Sequence, residues 1–329
     1  MSIPAEGIPL THDDLVNLGV FSGEAPKISI TELVESKVNG KELPFDPDKL
    51  HEVDLISSLN TEDRIVLEHV AHNIRRGLPQ AKPCPIISEH KAVLVCGGPS
   101  INLPDVQQEL VQEFWNGGVV FCVNAAYDWC IERNIKPSGM IMIDAREFNS
   151  RFVEKNIKDC KYFLSSQCHP KTFEMCEGRE TYIWHTLSAG EPELKLLDEY
   201  YWQRLSPVTL GTSVGIRAIS LLRMIGFLNI EIFGLDSCWV DEKHHAYSQT
   251  ENDYDGMVSI WLRPEGRDDL AKRFLCSPWH CKQAVDFQDL MRERSDMFQL
   301  NVHGPGLIAE IMRTGAQLDI PPEALSKGV

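Results

Sequence analysis

The sequence has no long apolar run and is short of positive charge. Among its 329 residues, 48 are acidic and 32 are Lys or Arg, so the formal net charge is −16. This balance disfavours nonspecific attraction to nucleic acid or to an anionic membrane. A membrane-spanning helix needs about 20 consecutive apolar residues, and Met1 to Val20 lacks the apolar core of a signal peptide. We expect a soluble, cytoplasmic protein.

Paired cysteines are also missing. The ten cysteines include no Cys-x-x-Cys spacing, and the chain is too long for a scaffold held together by disulfides. The stretch from Cys276 to Cys281, with His244 and His245 upstream, contains residue types that bind zinc but not at paired spacing. We therefore favour buried, reduced thiols over a zinc site.

Residues 1–88 differ from the rest of the chain in their sequence pattern. A helical pattern around Ile65 and Ile74 ends at Gly77, and prolines from Pro79 onward indicate a linker. We predict an N-terminal helical extension and linker over residues 1–88. It would pack on the main domain, residues 89–329, or on another subunit of a homo-oligomer.

From Lys91 onward, short apolar runs alternate with amphipathic stretches. This order predicts an α/β fold, namely a Rossmann-like, doubly wound and mainly parallel sheet covered by helices. The predicted strands are 92–96, 119–123, 139–143, 162–165, 181–184, 230–233 and 298–302. The predicted helices are 104–115, 125–133, 148–156, 191–204, 213–225 and 279–295.

The first predicted strand runs directly into Gly97, Gly98, Pro99 and Ser100. Glycines let the backbone approach a ligand closely, and amides that face solvent at a strand-to-helix turn can bind phosphate. The turn lacks the third glycine of a dinucleotide fingerprint and the Gly-Lys-Ser/Thr of a P-loop. It predicts a nucleotide site, although an ordinary strand–turn–helix connection is the plainer interpretation.

Polar residues follow several other strands, and ligands of such sheets gather at the carboxyl ends of the strands. Asn124, Asp144 and Asp236 each come just after a predicted strand. The two carboxylates are placed to bind Mg²⁺ beside nucleotide phosphates or to hold a sugar hydroxyl. Capping of the following helix would explain them equally well.

A second glycine turn opens the helix predicted at 213–225. The hydroxyls of Thr212 and Ser213, together with the amides that follow Gly211, can face an anionic ligand. Simple capping of the helix is the alternative.

The segment from about 238 to 278 is polar and poorly periodic, which is typical of a lid-like insertion. His245, or its neighbour His244, can act as a general base because histidine titrates near neutral pH. Four cations in or near this segment can neutralise phosphate charge or form a solvated face: Arg263, Arg267, Lys272 and Arg273.

The order of these motifs resembles the 6-hydroxymethylpterin diphosphokinase MptE-like family. The resemblance rests on Gly97-Gly-Pro-Ser, Asn124, Ile143-Asp144, the Gly211 turn, Ile232-Phe-Gly-Leu-Asp236, His245-Ala-Tyr247 and Leu300-Asn-Val-His-Gly-Pro-Gly306. It covers about Lys91 to Met312. The layout is also similar to that of bacterial CMP-sialic-acid sialyltransferases and the related motility accessory factors.

The resemblance implies a Rossmann-like transferase that binds a nucleotide at Gly97–Ser100 and Asn124. The pterin-kinase branch implies transfer of diphosphate from ATP to a hydroxymethyl group, with Mg²⁺ held by Asp144 and Asp236. The sialyltransferase branch implies attack of an acceptor hydroxyl on a CMP-activated sugar, with a histidine as base. Asn lies between the two glycines in the sialyltransferases but not here, which disfavours cytidine. A nucleotide-binding protein without catalytic activity is the third alternative.

Overall fold

The computed structural model describes residues 61–201, 204–248, 258–264, 270–292 and 298–319. Their strands are β1 (Ala92–Val95), β2 (Val119–Val123), β3 (Gly139–Met142), β4 (Lys161–Ser165), β5 (Thr181–Trp184), β6 (Asn229–Phe233), β7 (Val258–Arg263), β8 (Lys272–Cys276), β9 (Gln299–His303) and β10 (Gln317–Asp319). The α-helices are α1 (Asp63–Ile74), α2 (Pro104–Trp115), α3 (Ala126–Glu132), α4 (Pro170–Met175), α5 (Gly190–Tyr201), α6 (Val214–Met224), α7 (Pro278–Arg292) and α8 (Leu307–Thr314).

Seven of these strands form a parallel sheet in the order β5-β4-β3-β2-β1-β6-β9. All seven predicted strands are confirmed, with ends within one residue of those expected. Side chains of successive residues point to opposite faces of a strand. Accordingly, Leu94 belongs to one buried cluster, while Val93 and Val95 belong to the other. The doubly wound α/β fold is therefore confirmed.

The described part of the N-terminal extension packs on the main domain. Val66, Val70 and Ile74 of α1 are buried in the same apolar cluster as the sheet. The linker then runs along the edge strand β5, where the Ala81 amide donates to the Ile183 carbonyl at 2.8 Å. The rest of the predicted extension, residues 1–60, lies outside the described residues.

Two predictions of local structure were wrong. The helix expected at 148–156 is a 3₁₀ turn, Glu147–Val153, whose buried residues recur at a spacing of three. The insertion expected to be a loop contains β7 and β8, which form an antiparallel sheet with β10. In β7, buried Ile260 and Leu262 alternate with exposed Trp261 and Arg263, a period of two that predicts a strand.

All ten cysteines are free, and nine of them are buried. The burial of nine cysteines agrees with the expected buried thiols. Among the described helices, none combines the length and the apolar character that crossing a membrane requires.

Candidate functional site

The predicted site residues lie along one edge of the large sheet. Because all its pairings are parallel, the carboxyl ends of the seven strands meet at that edge. The strand order reverses direction between β1 and β6, and ligands of open α/β sheets bind outside this position. The loop Gly97–Ser100 follows β1, and Gly234–Asp236 follows β6. The crevice between these loops is the candidate site.

The backbone amides of the first glycine turn donate hydrogen bonds to other groups of the protein. The Gly98 amide donates to the Gly234 carbonyl, and the Ser100 amide donates to Oδ2 of Asp236, both at 2.8 Å. The prediction that these amides face solvent was therefore wrong. The reason is that the β1–β6 hydrogen-bond ladder continues past the ends of both strands, while Pro99 has no amide hydrogen.

Asp236 is the buried charge of this crevice. Only 3% of the residue is exposed, and its Oδ1 has no hydrogen-bond partner among the described residues. Burial raises the pKa of Asp236 to about 6, against hydrogen bonds from Ser100 that lower it. A Cβ atom added to Gly98 would lie 2.5 Å from Oδ2 of Asp236, so glycine is needed for the two loops to touch.

The segment 243–247 lies over the first glycine turn. The Ala246 amide donates to the Gly97 carbonyl at 2.9 Å, and Asn102 donates from Nδ2 to the Ala246 carbonyl at 2.6 Å. A Cβ atom added to Gly97 would collide with the hydroxyl of Tyr247. The part of the insertion that carries the predicted base is thus attached directly to the crevice.

His245 is held in an aromatic environment close to this turn. Its ring lies 4.6 Å from the ring of His244 and 5.9 Å from that of Trp279, measured between centroids. Neither ring nitrogen makes a hydrogen bond of good geometry with the described residues. Burial, and then the neighbouring His244, lower the pKa of His245 to about 4, while the Gly97 backbone raises it. The imidazole is therefore neutral at pH 7.

The second glycine turn lies beside the same crevice. A Cβ atom added to Gly215 of α6 would lie 2.7 Å from Cδ1 of Leu235, which follows β6. Gln283 of α7 connects the two sides, since its Nε2 donates to Oγ of Ser213 at 2.6 Å and its Oε1 accepts from Oγ of Ser237 at 2.5 Å. Ser213 also caps α6, as the simpler interpretation held.

Thr212 faces a carboxylate in this structure. Its amide and its hydroxyl donate to Oδ2 of Asp286 at 2.8 and 2.6 Å. Lys282 pairs with the other oxygen of Asp286. A phosphate at Thr212 would have to compete with this carboxylate for the same donors, so Thr212 is not a free phosphate cap in this structure.

Asn124 and Asp144 follow β2 and β3. Asn124 has a left-handed backbone with φ of +47°, and its Oδ1 is buried without a described partner. Asp144 forms a two-pronged ion pair with Arg146, at 2.7 and 3.0 Å. The pair anchors the turn after β3 and neutralises the carboxylate.

The two predicted metal ligands do not fit one shared Mg²⁺ site. Asp144 follows β3 and Asp236 follows β6, three strand positions apart, which corresponds to roughly 14 Å. Within the described ranges, no cluster of three or more His, Cys, Asp or Glu side chains is arranged to hold a metal. An ion at either carboxylate would have to take most of its ligands from the substrate.

A buried polar network at the ends of β4 and β5 was missed. The Thr186 hydroxyl donates to Oε1 of Gln167 at 2.7 Å and lies 3.1 Å from the Ser188 hydroxyl, which accepts from Arg217 at 2.7 Å. The positions after the strands indicated the first members of this network. Arg217 lies inside α6, where no sequence pattern distinguishes it.

The cations of the insertion are engaged in the small sheet. Lys272 pairs with Glu310 at 2.8 Å, Arg273 donates to a serine of β7, and Arg263 lies over a tryptophan ring. Arg267 lies outside the described residues. These contacts favour the structural interpretation of the described cations over phosphate binding.

Comparison with known protein families identifies the family of this chain. The model of the family described as 6-hydroxymethylpterin diphosphokinase MptE-like matches residues 68–242, more than half of the chain. The chain therefore belongs to the MptE-like family, and the resemblance drawn from its motifs is confirmed. Membership indicates a transferase-like role.

Among solved structures, the chain is similar to the MAf glycosyltransferase from Magnetospirillum magneticum AMB-1. The sequences are 12% identical and the TM-score is 0.44, over 90% of this chain and 43% of the other. The chain thus corresponds to less than half the length of that protein. No curated protein matches the chain.

Proposed function

We propose that this protein is a nucleotide-dependent transferase whose donor binds in the crevice between the ends of β1 and β6. The observation that carries the proposal is the contact between the first glycine turn, buried Asp236 and the His245 segment. Ser100 donates to Asp236, and Ala246 donates to Gly97, so three separate parts of the chain meet at one point. Membership in the MptE-like family supports the same class of reaction.

His245 is the proposed general base. Its neutral imidazole takes the proton of an acceptor hydroxyl, and the acceptor oxygen then attacks the donor. Most of the remaining catalysis comes from positioning and from neutralisation of phosphate charge. The buried Asp236 holds the first turn in place through the Ser100 amide.

Two donors suit this arrangement. With ATP, the acceptor oxygen attacks the β-phosphorus, a diphosphate is transferred and AMP leaves. With a CMP-activated sugar, the oxygen attacks the anomeric carbon and CMP leaves. We place diphosphate transfer first because of the family. Sugar transfer remains the second candidate because Asp144 and Asp236 are too far apart at this edge of the sheet to share one Mg²⁺ ion.

A nucleotide screen tests the proposal. Thermal unfolding is measured with ATP, GTP, CDP and CMP, each with and without Mg²⁺, because a ligand that binds only the folded state raises the melting temperature. ATP stabilisation followed by AMP release with a hydroxymethylpterin supports diphosphate transfer. Stabilisation by CMP alone supports sugar transfer. Binding without turnover supports the non-catalytic alternative, and no binding of any nucleotide contradicts the proposal.

A further inference from the structure

Arg217 is a buried cation that forms no direct ion pair with the described residues. The residue is 6% exposed, and no carboxylate oxygen in the described ranges lies within 4.0 Å of its guanidinium. Its hydrogen bonds are to neutral groups: Nε donates to the Gly211 carbonyl at 2.6 Å, and Nη1 donates to the Ser188 hydroxyl at 2.7 Å. Burying a charge without a direct ion pair costs several kcal/mol, on the order of the stability of a small domain.

Two carboxylates act on Arg217 without forming a direct ion pair with it, Glu193 and Asp286. The Oε1 atom of Glu193 is buried and has no hydrogen-bond partner among the described residues. Glu193 accepts the Ala189 amide at 2.9 Å, and Asp286 accepts from Thr212 and pairs with Lys282. Loss of solvent contact lowers the pKa of Arg217 to about 10, so the side chain is still charged at pH 7.

The position of Arg217 connects it to the candidate site. It contacts Gly211 of the second glycine turn, and α6 packs against the loop after β6 through Gly215. At the first turn, by contrast, the amides of Gly98 and Ser100 already have protein acceptors. An anionic group entering the crevice would find its charge complement at the second turn.

We infer that Arg217, with the Ser188 hydroxyl, binds the anionic group of the donor. This assignment rests on the proposed function and adds the chemical class that the site selects, a phosphate or a sugar carboxylate. The guanidinium fork matches the paired oxygens of either group. On this account, the anionic group of the donor forms the direct ion pair that the buried guanidinium does not make with the described residues.

Calorimetric titration of Arg217→Met and Arg217→Lys tests the assignment. Pyrophosphate and CMP provide the phosphate arm, N-acetylneuraminate provides the carboxylate arm, and cytidine provides the uncharged reference. We expect Arg217→Met to weaken binding of the anion by about 10- to 100-fold and to leave cytidine unchanged. Arg217→Lys keeps the charge but loses the fork, so we expect an intermediate loss. Arg223→Met, on the same helix, is the matched control and should behave as wild type.

Thermal unfolding keeps the test decisive if one variant folds poorly. Without ligand, Arg217→Met should melt lower than wild type, because it removes the hydrogen bonds to Gly211 and Ser188 and the charge that acts on Glu193, whereas Arg217→Lys keeps that charge and carries the binding comparison. Equal anion binding by wild type and both Arg217 variants overturns the inference, and so does failure of wild type to bind any anion. Binding of pyrophosphate through Arg217 without nucleotide turnover supports the inference while contradicting the proposed function.

Discussion

The turns at Gly97–Ser100 and Gly211–Ser213 have similar composition but opposite roles in the fold. At the first, backbone amides donate hydrogen bonds to the neighbouring loop and to the buried carboxylate of Asp236, whose pKa is raised. At the second, Asp286 accepts from Thr212, and the buried guanidinium of Arg217 donates to the Gly211 carbonyl. The first turn therefore fixes the crevice beside the proposed base, while the second carries the cation that we propose binds the anionic group of the donor.

The largest expected effect concerns the base at the first turn. His245→Gln should lower the rate of transfer by about 100- to 10,000-fold, because the proposed general base is lost. Nucleotide affinity should change little. Steady-state kinetics measured beside His244→Gln provide the check. A larger loss for His244→Gln would assign the base to that residue instead.

Neither turn should tolerate a methyl group. Gly98→Ala places Cβ 2.5 Å from the Gly234 carbonyl and from Oδ2 of Asp236, so we expect it to lower the free energy of unfolding by about 3 kcal/mol. Gly211→Ala combines a φ of +87° with a Cβ that would overlap the side chain of buried Ile216, so we expect a loss of at least about 3 kcal/mol. Urea denaturation of both variants measures the two losses, and a loss below about 1 kcal/mol at either glycine would contradict the close packing of that turn.

The buried carboxylate predicts a pH dependence that is specific to the first turn. The pKa of Asp236 is about 6 in the folded protein and 3.8 as a reference, so its contribution is most favourable below pH 3.8 and is lost as the pH rises through 6. The full difference corresponds to roughly 3 kcal/mol. In Asp236→Asn, the stability should not show this fall between about pH 4 and 7.

Denaturation midpoints across this range provide the measurement. Asp286→Asn, at the second turn, is the control and should keep the wild-type slope. A slope unchanged in Asp236→Asn would mean that another group titrates in this range.

The smallest effect concerns β9, the edge strand that pairs with β6. His303 at the end of β9 lies between Glu109 and Glu231, at 2.8 and 2.9 Å, and these carboxylates raise its pKa although burial lowers it. The stabilisation is complete below pH 6.5 and is lost as the pH rises through the higher folded pKa. The site is half-exposed, so we expect His303→Gln to cost about 1 kcal/mol at pH 6 and less at pH 9. Equal losses at both pH values would contradict the ion-pair account.

Much of the fold could be predicted because strands buried on both faces appear as short apolar runs. The run before Gly97 and the run before Asp144 each predicted their strand to within one residue. The strand-end rule then placed Asn124, Asp144 and Asp236 at one edge. These predictions needed only local patterns and one rule of topology.

The rest depended on contacts between distant segments. No pattern shows that Asp286 would take the donors of Thr212, or that Asp236 would take the amide of Ser100, because each pair is far apart in sequence. The sequence does not show the position of Arg217 either, because its hydrogen bond to Ser188 joins segments 29 residues apart. The sequence indicated two carboxylates for Mg²⁺ but not the distance between them, because spacing along the chain does not determine separation across the sheet.

Hydrogen exchange with and without bound nucleotide tests the central claim most directly. Whichever of ATP or CMP binds, we predict slower exchange in peptides covering 96–103 and 234–247, with little change in 104–115 of α2. This result would place the donor between the ends of β1 and β6. Protection confined to β7 and β8, with unchanged exchange at Gly97–Ser100 and at His245, would contradict the account.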